Sequence, residues 1–137
     1  MSMSPSHAQV PESHAAILKS KALVFLATTN ASGAPQVSPV WFDTEGGLIR
    51  VNSAKGRLKD RNMRARKKVS LAVVDPENMY RWLGLQGTVV EVTEQGADAH
   101  IDGLAKKYLG KDTYPNRRAG EVRVIYKIRP DKAFTMP

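Results

Sequence analysis

The chain contains no cysteine. That excludes disulfides, zinc–thiolate sites, iron–sulfur clusters and a thiol nucleophile. No apolar run is long enough to span a bilayer. Residues 1–10 show no charged head followed by an apolar core, so no signal peptide is read there. The expectation is a cytoplasmic protein with no membrane span. The three histidines, His7, His14 and His100, make no spaced ligand set, and no metal site is expected. Gly-x-Ser-x-Gly, a phosphate-binding Gly-Lys-Ser/Thr run and Gly-x-Gly-x-x-Gly are all missing, which argues against a serine hydrolase, a P-loop enzyme and a dinucleotide-binding Rossmann domain. A chain so poor in acid–base machinery has to take any hard chemistry from a bound cofactor.

Cationic charge is what the chain does have. Its 137 residues carry a formal net charge of +8. Lys55, Arg57, Lys59, Arg61, Arg64, Arg66, Lys67 and Lys68 crowd into one stretch, opposed locally by Asp60. Such a surplus attracts phosphates or other polyanions, or simply keeps the protein soluble. A nucleic-acid surface would interleave exposed aromatics with cations along one sheet face. Only Tyr80-Arg81-Trp82 approaches that pattern, and aromatics make up 7% of the chain, so no nucleic acid partner is expected.

The chain length suits one domain. Residues 1–12 read as a flexible tail and 13–137 as a single folded unit, opening on a short helix capped by Ser13. Leu23–Ala27 reads as a strand buried on both faces. Gln36–Phe42 forms a second strand, with an edge or bulge at Pro39, which cannot donate to a ladder. Leu48–Asn52 forms a third, and the three look like a meander of hairpins. Gly56–Lys68 lacks β-branched residues until Val69 and should be helical. Val69–Val74 and Tyr80–Val92 are further strands. Asp98 is placed to cap a helix whose apolar face runs through Ile101, Leu104, Ala105, Tyr108 and Leu109, with His100 on the polar side and Gly110 ending it. Val122, Val124, Tyr126 and Ile128 alternate with cations in a last strand. The sum is a mostly β, α+β chain: a six-stranded antiparallel split β-barrel with peripheral helices.

Asn52-Ser-Ala-Lys-Gly-Arg-Leu-Lys-Asp-Arg-Asn62 runs from a strand end through a small-residue loop into a helix start. Free backbone N–H groups and partial positive charge gather there. With Arg57 and Lys59 alongside, the stretch has the makings of a phosphate site; a solvated basic helix is the other use of the same residues. Tyr80-Arg81-Trp82 could stack on a planar ring or pack at an interface. Trp41 has the same two uses, as core or ligand contact. Gln36 and Ser38 share a strand face able to bond ring or ribityl oxygens.

Gly33-Ala-Pro-Gln-Val-Ser-Pro-Val-Trp41 followed by Asn52-Ser-Ala-Lys-Gly-Arg-Leu-Lys-Asp-Arg-Asn-Met63 resembles the pyridoxamine-phosphate-oxidase-like split-barrel superfamily. Lys106–Gly110, Tyr114-Pro115 and Gly120–Ile128 carry the resemblance into its branch that uses the deazaflavin coenzyme F420. The resemblance implies a homodimer with cofactor at the interface. It implies that residues matching Asn52, Ser53, Lys55, Gly56, Arg57, Lys59 and Asn62 hold the cofactor phosphate. Gln36, Ser38, Pro39, Val40 and Trp41 would run along the ring system, and Tyr80, Arg81 and Trp82 would line the same site. The loop Tyr114–Arg118 is the segment expected to cross from the partner. The implied reaction is hydride transfer from reduced F420 to a small electron-poor organic acceptor. FMN is the alternative cofactor, in an oxidase or reductase of the same fold, and a non-catalytic flavin- or deazaflavin-binding protein is a further alternative. F420 carries a phosphodiester and a glutamate tail, which Arg61, Arg64 and Arg66 would suit. Tyr126 and water are the proton donors within consideration.

Overall fold

A computed structural model describes residues 10–137; the first nine residues of the expected tail, with His7, lie outside the described residues. Among the described residues there are seven strands: β1 (Val24–Thr29), β2 (Pro35–Val40), β3 (Phe42–Glu45), β4 (Leu48–Ala54), β5 (Lys68–Val74), β6 (Trp82–Thr93) and β7 (Arg123–Met136). The helices are α1 (Glu12–Ala15), continued by a 3-10 turn over Ala16–Lys19, then α2 (Leu58–Ala65) and α3 (Ala97–Leu109). No helix among them is long and apolar enough to cross a membrane.

All strands join one antiparallel sheet in the order β2-β1-β5-β6-β7-β4-β3. Its two edge strands, β2 and β3, are separated in sequence by Trp41 alone. Two Cα–Cα steps span at most about 7 Å. The sheet therefore has to curl until its two edges meet, which makes a split barrel. The seventh strand corrects the six expected. Gln36–Phe42 is not one strand but the end of β2 and the start of β3, broken at Trp41 just after Pro39. Both hairpins of the expected meander form, but the break at Trp41 puts them at opposite edges of the sheet. β2 pairs with β1, β3 with β4, and β4 then pairs with β7.

The barrel interior is filled by Val24, Leu26, Phe42, Ile49, Val51, Met63, Leu71, Val73, Leu83, Leu85, Tyr126 and Ile128, all nearly inaccessible. β1 departs from the reading of a strand buried on both faces. Val24 and Leu26 point inward, whereas Phe25 points outward and is 41% exposed. Its register neighbours across the sheet are Pro39, Ala72, Gly84 and Phe134, so the outer face is apolar too.

Gly87 sits where β6 shifts register against β7. A Cβ there would lie 2.7 Å from Ile128 Cγ2 and 2.8 Å from the Arg129 carbonyl oxygen. The carbonyl belongs to the ladder and cannot swing aside. Gly87→Ala should therefore lower stability by about 1–3 kcal/mol, read as a drop in melting temperature; an unchanged melting temperature would contradict that packing.

Helix α3 begins one residue after Gly96, which adopts a left-handed N-cap, and not after Asp98. Asp98 instead lies in the first turn, where a carboxylate meets the positive end of the helix. Gly110 closes the helix in the left-handed conformation, as the sequence suggests. His100, expected on the polar side, is 7% exposed. It is buried because β3 and β4 present Asp43 and Asn52 to it.

Candidate functional site

A cleft of about 360 Å³ opens where β2, β4, the start of α2, α3 and the loop after α3 converge. Leu23, Pro39, Val40, Trp41, Ile101 and Leu104 form its apolar wall; Asn52, Ser53, Arg57, Lys59, Tyr114, Asn116 and Arg123 form the polar one. Pro39, Val40, Trp41, Asn52, Ser53, Arg57 and Lys59 thus line one cleft, but the Asn52 amide, expected on the phosphate, is spent on Ala97, His100 and Arg123. A larger depression of about 480 Å³ lies elsewhere, beside Thr28, Lys68, Gln86 and Asp131. There a carboxylate, Asp131, faces the cations, accepting from Arg129 Nε at 2.9 Å and lying 3.7 Å from Lys68. The smaller cleft is the more reactive environment, because its cations outnumber its carboxylates.

Three cations meet in that cleft. Glu121 accepts from Arg57 Nη2 at 3.1 Å and from Arg123 Nη1 at 2.9 Å. One carboxylate is shared between two guanidiniums, and Lys59 has no ion-pair partner among the described residues. Burial, then the positive charges of Arg57 and Arg123, hold the Lys59 ammonium below the usual lysine range. A bound anion would relieve both the repulsion and the lost hydration. Beside these cations lies Ser53. It is 2% exposed, and its Oγ has no hydrogen-bond partner among the described residues. A buried hydroxyl without a partner is costly, and a phosphate oxygen against it would complete its bonding. On the inner face of β2 the Ser38 Oγ is likewise unpartnered.

The loop that shapes this wall is held by Asp60. Its carboxylate accepts from the Gly56 N–H at 2.9 Å, from Arg64 Nε at 2.9 Å and from the Tyr126 hydroxyl. Burial pushes the Asp60 carboxyl up, but the Gly56, Tyr126 and Arg64 bonds together hold it below the usual range. Gly56 has φ of +93°, a conformation that disfavours a side chain. Asp60 is therefore the clasp of the loop, not merely a local counter-charge.

Other expected site residues stand elsewhere. Asn62 is 2% exposed, and its amide is spent on Thr28, Asn30 and Arg66. It tethers α2 to the β1 turn. Lys55 pairs with Glu94 across the surface at 3.1 Å. Gln36 accepts from Thr28 Oγ1 at 3.3 Å on the inner face of β2. Arg64 and Arg66, expected to meet an anionic tail, are engaged by Asp60 and by the Thr29 carbonyl. Tyr80, Arg81 and Trp82 are not among the cleft's lining: Tyr80 is 86% exposed, Arg81 is tied to the Ser13 carbonyl and Asp75, and Trp82 lies on the outer sheet face against Gly84. Tyr126 is fully buried with its hydroxyl on Asp60, and burial raises its pKa first of all. It cannot reach a ligand to donate a proton.

Arg123, Tyr114 and Asn116 join the site beyond the phosphate-loop expectation. Tyr114 and Asn116 line the cleft of their own chain. Tyr114 meets Trp41 edge-on, with ring centroids 6.0 Å apart, and the Arg123 guanidinium lies 5.3 Å from the Tyr114 ring centre. Trp41 also stacks on Tyr108 at 5.3 Å. The Tyr108 hydroxyl donates to the Ala22 carbonyl at 2.6 Å, so the indole is backed by a fixed ring.

Residues 10–137 match the family model of pyridoxamine 5'-phosphate oxidase. The chain belongs to the pyridoxamine 5'-phosphate oxidase family. Within that split-barrel group it is similar to an F420 reductase of known structure, at 31% identity over 91% of this chain and 98% of that one, with a TM-score of 0.81. A conserved hypothetical protein from Mycobacterium tuberculosis shares the fold at 17% identity, over 99% of this chain and 89% of that one, TM-score 0.74. General stress protein 26 from Bacillus anthracis does so at 15% identity, over 88% of each chain, TM-score 0.63. No curated protein matches. Membership of this family makes an oxidoreductase-type, flavin-binding fold the frame for the cleft.

Proposed function

We propose that this member of the family binds coenzyme F420 in the cleft and uses it to reduce a small electron-poor organic acceptor. The observation that carries the reading is the buried, unpartnered Ser53 hydroxyl beside Arg57, Lys59 and Arg123. That is an anion site with a donor left over, on a wall facing apolar residues that suit a ring. Lys59, Arg57 and Ser53 would hold the phosphodiester. Val40, Pro39 and Trp41 would lie along the deazaflavin ring. When bound, reduced F420 supplies a hydride to the acceptor. The chain's own contribution is to fix ring and acceptor face to face and to exclude water.

The cleft is open on one side, and the apolar outer face of the sheet runs to its rim. Phe25, Val37, Phe134 and Met136 are between 41% and 63% exposed. Pro39, paired with Phe25, belongs to both that face and the cleft. We infer that a second copy of the chain covers this face, closes the cleft and brings Tyr80 and Trp82 near the ring. Exposed apolar patches of this kind mark association surfaces.

Incubation of the protein with reduced F420 and a panel of quinones and enones should restore the oxidised deazaflavin absorbance only when protein is present. Light scattering of the same sample should report a dimer. Turnover with reduced FMN and none with F420 would transfer the activity to the alternative cofactor; a monomer with F420 bound would remove the closed-cleft geometry.

A further inference from the structure

We propose that His100 is a positioning residue for the cleft: through Asn52 it sets the direction of the Arg123 guanidinium that faces the ligand. The inference rests on the F420 reading of the cleft. Asn52 lies between the two side chains. Its Nδ2 donates to the Ala97 carbonyl at 3.0 Å and contacts His100 Nδ1 at 3.0 Å. Its Oδ1 accepts from Arg123 Nε at 2.9 Å. The Ala97 carbonyl can only accept and Arg123 Nε can only donate. The Asn52 amide therefore has one orientation, with its NH2 toward His100.

That orientation in turn decides the state of the imidazole. His100 Nδ1 faces a donor and has to accept. The proton then sits on Nε2, which donates to Asp43 Oδ1 at 3.1 Å. Asp43 is clamped by Arg50, whose Nε and Nη2 each donate to it at 2.8 Å. The chain thus runs from a surface ion pair, through a buried neutral imidazole and a fully bonded amide, to a guanidinium in the cleft wall. Arg123 has Nε on Asn52 and Nη1 on Glu121. No protein acceptor among the described residues takes its Nη2, which is the nitrogen open to a ligand.

Protonating His100 would place Nδ1–H against the Asn52 NH2. Flipping Asn52 would only move the clash onto Ala97 and Arg123. The charged groups around the imidazole are Asp43 with its partner Arg50, Lys107 on the same helix within the field of Asp43, and Arg123 behind Asn52.

The test compares wild type, His100→Asn and His100→Leu, each checked for an intact fold by its melting curve. Asparagine can offer an oxygen near the Nδ1 position but does not titrate; leucine offers no acceptor. The F420 dissociation constant is measured for all three. His100→Asn should bind within about twofold of wild type and His100→Leu about tenfold more weakly. Equal affinity in His100→Leu, with wild type binding F420, would overturn the proposal while leaving the cofactor reading intact. A second readout needs no ligand. Nitrogen-15 NMR should show the His100 ring proton on Nε2, and a proton on Nδ1 would overturn the proposal even if F420 never bound.

Discussion

Replacing Asp60 with asparagine should cost the fold about 2–4 kcal/mol, because an amide cannot accept all three bonds that the buried carboxylate accepts. The amide nitrogen would face the Gly56 N–H, or else Arg64 Nε, as a donor against a donor. Tyr126→Phe removes one of the three partners and should cost less. Either change loosens the Gly56 loop, so F420 binding should weaken together with melting temperature. Acid reads the same group. The folded Asp60 carboxyl lies below its ordinary value. Asp43 lies at about 2, where the bonds from His100 and Arg50 outweigh the upward push of burial. A carboxyl whose folded pKa is depressed contributes stability above the unfolded value, about 4, and that stability is lost as pH falls through the folded value. Wild type should therefore lose stability progressively from about pH 4 toward about pH 2, and Asp60→Asn should show a shallower acid loss. Denaturant melts at stepped pH check both. A variant as stable as wild type would remove Asp60 from its role as clasp.

Lys59→Ala should weaken F420 binding by roughly ten- to a hundredfold, the usual worth of one charge-assisted contact of about 1.5–3 kcal/mol. Among the described residues Lys59 is the cation of the cleft with no ion-pair partner, so its charge is left for the ligand. Arg57 is 46% exposed at its side chain and shares Glu121, so Arg57→Ala should have the smaller effect, and added salt should erode that effect further. Dissociation constants for both variants at low and high salt separate the two. If both bind as wild type does, the loop is not the phosphate site.

Much of this was legible in local pattern. Alternation of apolar residues placed β4, β5, β6 and β7, and Gly56-Arg57 before an Arg-rich helix marked the loop that lines the cleft. What local pattern cannot carry is pairing between distant segments. Gln36–Phe42 is continuous in hydropathy, yet Val40 ladders with β1 and Phe42 with β4. Phe25 reads as core because it is apolar, yet it points outward. Arg123 and His100 look like ordinary polar positions and Asn52 like a phosphate contact, on three separate elements. Only the closure of the barrel buries them in one hydrogen-bonded chain. Asn62 and Arg66 sit on the same basic stretch as Arg57 and Lys59, but helix geometry turns them toward the β1 turn, where backbone and side-chain acceptors engage them.

The most direct test of the cleft as an F420 site is a fluorescence titration of purified wild-type protein with F420 beside an identical titration with FMN. Saturable quenching by F420, tighter than by FMN and weakened in Lys59→Ala, is the result the structure predicts. Tight FMN binding with no F420 binding, or F420 binding indifferent to Lys59, would contradict it.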